Sequence, residues 1–139
     1  MIPVFFVVLI FKLYYNIKGD FMKTIRGAIT IKNNSESEIR ANTLILLEEI
    51  LSSNQITASD VESVIFTATK DITKAYPAKF AREIGFENAT LMCTQEMNVE
   101  GSLPFCIRVL MFVNNVDLSS PTHVYLKGAE KLRPDLKKL

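Results

Sequence analysis

The chain has no tryptophan, one histidine and two cysteines, and only five glycines and five prolines among 139 residues. One histidine and two thiols nearly exclude a His/Cys metal cage, and any Ser-His-Asp or Cys-His mechanism would rest on His123 alone. Two cysteines make no disulfide scaffold, and nothing else points to an oxidising compartment. The few glycines form no phosphate-cradling loop, and no paired-aspartate metal motif occurs. A net charge of +1 argues against nucleic-acid binding driven by bulk charge. With 48% hydrophobic and 22% charged residues, neither disorder nor a fibrous repeat is expected, and the length suits one domain.

Long apolar runs are also scarce, the exception being residues 1–11, followed by Lys12 and Leu13-Tyr14-Tyr15. A membrane-spanning helix needs about 20 apolar residues, so this run is short. A secretory signal carries positive charge ahead of its apolar stretch and a small-residue cleavage site behind it. Here Lys12 and Lys18 come after the run and no such site follows. Lys18-Gly19-Asp20 can be encoded AAR-GGN-GAY, which can hold a purine-rich ribosome-binding sequence just before the Met22 codon. Residues 1–21 are therefore expected to be an extension created by a mis-assigned start, in preference to an anchor. Residues 22–139 are expected to be the functional domain, cytoplasmic and without membrane contact. Losing Lys12, Lys18 and Asp20 would leave that domain with no net charge.

Residues 24–31 alternate, with Ile25, Ile29 and Ile31 on one face and Thr24, Arg26, Ala28 and Thr30 on the other, which predicts a half-buried strand. Asn33-Asn34 signals a turn, and Ser35-x-x-Glu38 reads as a capping box. It opens a helix whose packing side is Ile39, Thr43, Leu46, Leu47, Ile50 and Leu51. A short helical turn is expected over 57–62 and a buried strand from Val64 to near Thr69. Pro77 starts a second helix with Ala78, Ala81 and Ile84 inward and Gly85 as its stop. Residues 89–97 read as a strand. Ser102 is expected to cap a third helix with Leu103, Cys106, Ile107, Leu110 and Met111 on its apolar side. Residues 122–126 form the last strand, ahead of a charged tail over 127–139. Strands alternating with helices predict an α/β or α+β domain, a mixed sheet with helices packed outside.

Cys93 and Cys106 lack a base partner and suit buried inert thiols, and His123 suits a structural role. The arginines stand out by position: Arg26 in mid-strand, Arg82 on the short helix beside Lys79, Arg108 within an apolar stretch, and Arg133 in the tail. Such residues are either snorkelling or salt-bridged, or a set for a small polyanion, whose carboxylates a guanidinium grips bidentately.

Ile25-Arg26-Gly27-Ala28, Pro77-Ala78-Lys79 with Arg82, Gln95-Glu96-Met97, Cys106-Ile107-Arg108-Val109, and His123-Val124-Tyr125-Leu126 with Leu132-Arg133-Pro134 follow one another along the chain. In this order and spacing the chain resembles the small monofunctional chorismate mutases of the AroH type, over about residues 23–135. The resemblance implies a homotrimer whose mixed sheets form a pseudo-α/β barrel with helices outside and active sites between subunits. It implies the rearrangement of chorismate to prephenate, en route to phenylalanine and tyrosine, with no metal or organic cofactor. Carried over, Arg26 resembles the carboxylate-binding arginine of the first strand. Arg108 resembles the residue that meets the breaking ether oxygen and a carboxylate, and Tyr125 the residue that hydrogen-bonds a substrate carboxylate. Cys93 and Glu96 resemble the pair at the ring hydroxyl, with Met92 lining that segment. Tyr76, Lys79, Arg82, Leu132 and Arg133 resemble the mobile rim and tail over the pocket. Ile29 and Tyr76 depart from the family's commoner Thr and Phe. Cys93 and Glu96 are three apart, on opposite faces of a regular strand, so a turn or bulge is expected near Thr94-Gln95. The alternative reading is a trimeric small-ligand-binding module on the same scaffold, an architecture the reactive-imine deaminases share.

Overall fold

The computed structural model describes residues 1–20 and 22–136. Residue 21 and residues 137–139, the last of the expected charged tail, lie outside the described residues. Strand β1 (Met22–Thr30) leads to helix α2 (Glu36–Ser53), after an N-terminal helix α1 (Val4–Asp20). Strand β2 (Val61–Ala68), helix α3 (Pro77–Ala81), and strands β3 (Thr90–Gln95), β4 (Cys106–Asn114) and β5 (Val124–Leu126) follow. Two 3₁₀ turns, Lys127–Leu132 and Pro134–Leu136, close the described chain. The apolar side chains along α1 from Val4 to Leu13 are exposed, and among the described residues no helix is long and apolar enough to cross a membrane.

Helix α2 starts where Ser35 Oγ accepts the Glu38 amide at 3.2 Å. The reciprocal half of the expected capping box is absent, because the Glu38 carboxylate reaches back to the Lys32 amide at 3.0 Å. Its buried stripe is Ile39, Asn42, Thr43, Leu46, Leu47 and Ile50. Helix α3 begins on Pro77, runs on as a 3₁₀ turn through Ile84, and stops at Gly85, whose φ of 101° suits a residue without Cβ.

The sheet has the order β3-β2-β4-β1-β5. Strand β4 is antiparallel to β1 and β2, while β3 runs parallel to β2 and β5 parallel to β1. A mixed sheet with α2 and α3 packed on it therefore bears out the α+β expectation. Residues 102–111 do not form the expected helix. Ile107, Val109, Met111 and Val113 alternate inward along β4, which is bonded on both sides. Helical and strand spacing share Ile107 and Met111, so the short apolar run fitted both periods locally. Pairing with β1 and β2 satisfies the backbone and decides for the strand.

One face, with Ile25, Ile29, Val64, Phe66, Ile107, Val109 and Met111, makes the core with α2 and α3. The opposite face carries Arg26, Ala28, Thr67, Arg108 and Tyr125. A small cluster of Ala28, Cys106 and Ala129, with Leu103, Tyr125 and Leu132 against it, fastens the tail over its end.

Candidate active site

Strand register assembles the first group of candidate residues. Arg108 on β4 lies opposite Ala28 on one side and Thr67 on the other, and Tyr125 on β5 lies opposite Ala28. Arg26 is two residues before Ala28 and so shares its face. Strand β3 ends at Gln95 without the expected turn or bulge, its pairing with β2 regular to that residue, and the Glu96 amide then bonds Ala68 O at 2.9 Å. Arg26, Thr67, Glu96, Arg108, Tyr125, Leu132 and Arg133 line one cleft of about 350 Å³.

Glu96 is held tightly in it. Its Oε2 accepts the Thr67 hydroxyl at 2.5 Å, and its Oε1 accepts the Met97 amide at 3.1 Å. Arg108 Nε stands 3.4 Å from Oε2, a charge contact without hydrogen-bond geometry. That buried N–H has no acceptor. Leaving a buried donor unpaired is costly, and a ligand oxygen in the cleft would relieve it. Arg133 reaches the same cleft with its fork occupied by Asp135, Nε to Oδ1 at 3.0 Å and Nη2 to Oδ2 at 2.8 Å. The pairing raises the Arg133 pKa and lowers that of Asp135.

A second group lies elsewhere. Tyr76, Lys79 and Cys93 line a cleft of about 540 Å³ with Thr69, Lys70, residues 72–75 and Glu36. Lys79 Nζ pairs with Glu36 Oε1 at 3.0 Å, and Tyr76 is exposed. Cys93 packs toward the core face, and burial pushes its thiol pKa up against the opposing pull of the Ala78 backbone and Arg82. It is thus a protonated thiol at neutral pH, suited to hydrogen bonding more than to attack. Arg82 and Met92 are exposed and line neither cleft. Within one chain, Cys93 and Glu96 therefore do not share a cleft. The strand's period of two turns them to opposite faces, and Thr67 keeps the Glu96 carboxylate on the arginine side. Thr67 was missed by the sequence reading, since its role depends on the β2–β4 register.

His123 has a structural task. Its Nδ1 accepts the Arg26 amide at 3.0 Å, which requires that nitrogen to be unprotonated. Burial lowers its pKa, with Arg133 and Arg26 adding to the shift. The unfolded chain therefore takes up the proton first. The contribution to stability is fully present above about pH 6.5 and is lost as pH falls through the lower folded value. Thermal unfolding should show the wild type losing melting temperature on acidification from about pH 7 to 5, and His123→Ala losing less. Equal losses would refute this role.

These positions can be compared with known proteins. The sequence profile described as Chorismate mutase type I matches residues 22–136. The chain is 41% identical over 117 residues to chorismate mutase AroH of Bacillus subtilis (strain 168), covering 83% of this chain and 92% of that one. It is 42% identical over 117 residues to chorismate mutase AroH of Thermus thermophilus, covering 83% and 96%. A solved structure of a chorismate mutase from Clostridium thermocellum superimposes with a TM-score of 0.75 at 45% identity, covering 78% of this chain and 98% of that one.

Proposed function

This chain belongs to the chorismate mutase type I family and converts chorismate to prephenate, an isomerisation in aromatic amino acid biosynthesis; we propose that the Arg108 cleft carries the reaction, completed by residues of a neighbouring copy. The observation behind this reading is the buried Arg108 Nε, which lacks an acceptor and lies in a cleft flanked by Arg26 and Tyr125.

The rearrangement breaks a C–O bond and forms a C–C bond within one dianionic molecule. No nucleophile attacks and no proton moves, so a site needs only to hold the reactive chair-like conformer and to stabilise charge growing on the ether oxygen. Arg108 supplies fixed positive charge to that oxygen and to a carboxylate. Arg26 and Tyr125 bind carboxylate oxygens. Glu96, kept in orientation by Thr67 and the Met97 amide, accepts the ring hydroxyl, and Cys93 takes part from the neighbouring copy, beside Met92. Tyr76, Lys79 and Arg82 close one side of the pocket, and Leu132 and Arg133 the other.

The assembly is a homotrimer forming a pseudo-α/β barrel. Two features support it: the face of the sheet that the core helices leave open, and the separation of the candidate residues into two clefts of one chain. A head-to-tail ring brings the Tyr76–Lys79–Cys93 cleft of one copy against the Arg108 cleft of the next. The working domain is residues 22–139, in the cytoplasm, with residues 1–21 dispensable.

Loss of chorismate absorbance with formation of prephenate tests the reading. The full chain and a chain starting at Met22 should turn over equally. Co-expressing Arg108→Ala with a Tyr76→Ala/Lys79→Ala/Arg82→Ala variant should restore about one quarter of wild-type activity, since that share of mixed sites is intact in a cyclic trimer. No recovery would place the whole site within one chain, and no turnover by folded protein would reject the reading altogether.

A further inference from the structure

We infer that Asn34 is a positioning residue for substrate capture, because its carboxamide fixes the segment that delivers Tyr76 and Lys79 to the rim. The inference rests on the rim role proposed above for those two residues. Asn34 lies just ahead of the Ser35 cap of α2 and reaches across to the segment joining β2 to α3. Its Oδ1 accepts the amides of Thr73 at 2.9 Å and Lys74 at 3.2 Å, and its Nδ2 donates to Thr73 Oγ1 at 2.8 Å.

That segment forms no strand or helix; the Ile72 amide bonds Thr69 O at 3.0 Å within it, while the next two amides take a partner elsewhere. Its first residues are pinned to β4. Thr69 Oγ1 accepts the Cys106 amide at 3.0 Å and donates to Asp71 Oδ1 at 2.5 Å, and Asp71 Oδ2 accepts the Phe105 amide at 3.0 Å. Its far end is pinned by the buried Pro77, Ala78 and Phe80 of α3. Between these anchors Thr73 and Lys74 are exposed, and the Asn34 side chain binds both. Two residues after Asn34, Glu36 pairs with Lys79 at 3.0 Å, so one stretch of chain holds both the middle of the segment and a rim lysine. A rim ordered before substrate arrives lowers the ordering cost of binding. Arg108 stands on the central strand and is untouched, so loosening the rim should weaken capture more than the chemical step.

The experiment uses the full chain, with steady-state kinetics on chorismate and amide hydrogen exchange. Asn34→Ala should raise KM about tenfold with kcat within about twofold, the scale of losing one or two net hydrogen bonds. Exchange at the Thr73 and Lys74 amides should quicken. Asn34→Asp should recover most of the KM, because one carboxylate oxygen still accepts both amides and the other can accept the Thr73 hydroxyl, which then donates where it had accepted. Asn34→Leu, of similar shape and without polar atoms, replaces the alanine variant if that one does not fold. An unchanged KM overturns the inference, as does a parallel fall of kcat and melting temperature, or an aspartate variant no better than alanine. A Tyr76→Ala/Lys79→Ala variant is measured alongside. If its KM rises while that of Asn34→Ala does not, positioning by Asn34 alone has failed. If its own KM is unchanged, the rim reading has failed and the inference falls with it.

Discussion

Arg108→Ala should lower kcat/KM by more than about a hundredfold while the protein stays folded. Removing a single preorganised donor to developing charge costs on the order of 3 kcal/mol, which accounts for the hundredfold. Here the loss goes further, because the same guanidinium stands 3.4 Å from the Glu96 carboxylate. Without it, an uncompensated negative charge would face an incoming dianion. Thr67 and the Met97 amide would continue to hold Glu96 in place, so it could not easily turn away. The fold does not depend on the side chain, since β4 is bonded along both edges by backbone. Arg108→Lys should stay close to the alanine level, as a point ammonium cannot address two oxygens with a planar fork. Chorismate consumption, with thermal unfolding as a control, decides the matter. Near-wild-type turnover by either variant would remove Arg108 from the role given to it.

Gly27→Val should be the most damaging change to stability, at about 3 kcal/mol or more. Gly27 is buried in β1 between Arg26 and Ala28, on the face that meets α2. A Cβ at this position would stand 2.7 Å from Ile50 Cδ1 and 3.2 Å from both Leu46 Cδ1 and Val109 Cγ2. For alanine, the terminal methyl of Ile50 can swing aside, and the cost should be near 1 kcal/mol. Valine adds two γ-carbons that Leu46 and Val109 cannot both avoid, so α2 must lift from the sheet. Denaturant melts of the two variants should rank valine well below alanine and alanine below wild type. Matching midpoints for valine and wild type would contradict so close an approach of α2 to β1. Arg26 is the next residue, so any shift of β1 also moves a proposed carboxylate ligand.

Part of this was legible from residues close together in the chain. The alternation through Ile25, Ile29 and Ile31 identified β1 and put Arg26 on the opposite face. Ser35, Pro77 and Gly85 marked helix ends through their own backbone and hydrogen-bonding chemistry. The order of the arginine-bearing segments pointed to the family before any fold was in view. Side-chain parity called for a turn or bulge near Thr94-Gln95; β3 does end at Gln95, but its pairing is regular to that point and Cys93 and Glu96 still face opposite sides.

Other features depended on partners far away in sequence. Residues 106–111 satisfy a helical and a strand period alike, and only hydrogen bonds to β1 and β2 choose between them. Thr67 became a neighbour of Glu96 and Arg108 through sheet register. Asn34 looked like a turn residue until the fold set it against Thr73 and Lys74. The division of the candidate residues between two clefts likewise follows from the sheet, which turns Cys93 to one face and Glu96, just past the end of β3, to the face that carries Arg26, Arg108 and Tyr125. Side-chain period and capping act within a few residues, so spacing by itself determined the class of fold and set the arginines apart, and the family came from the resemblance of the motifs in their order. Strand pairing and face-to-face packing join residues tens of positions apart, and the tertiary structure alone decided which of those charges meet.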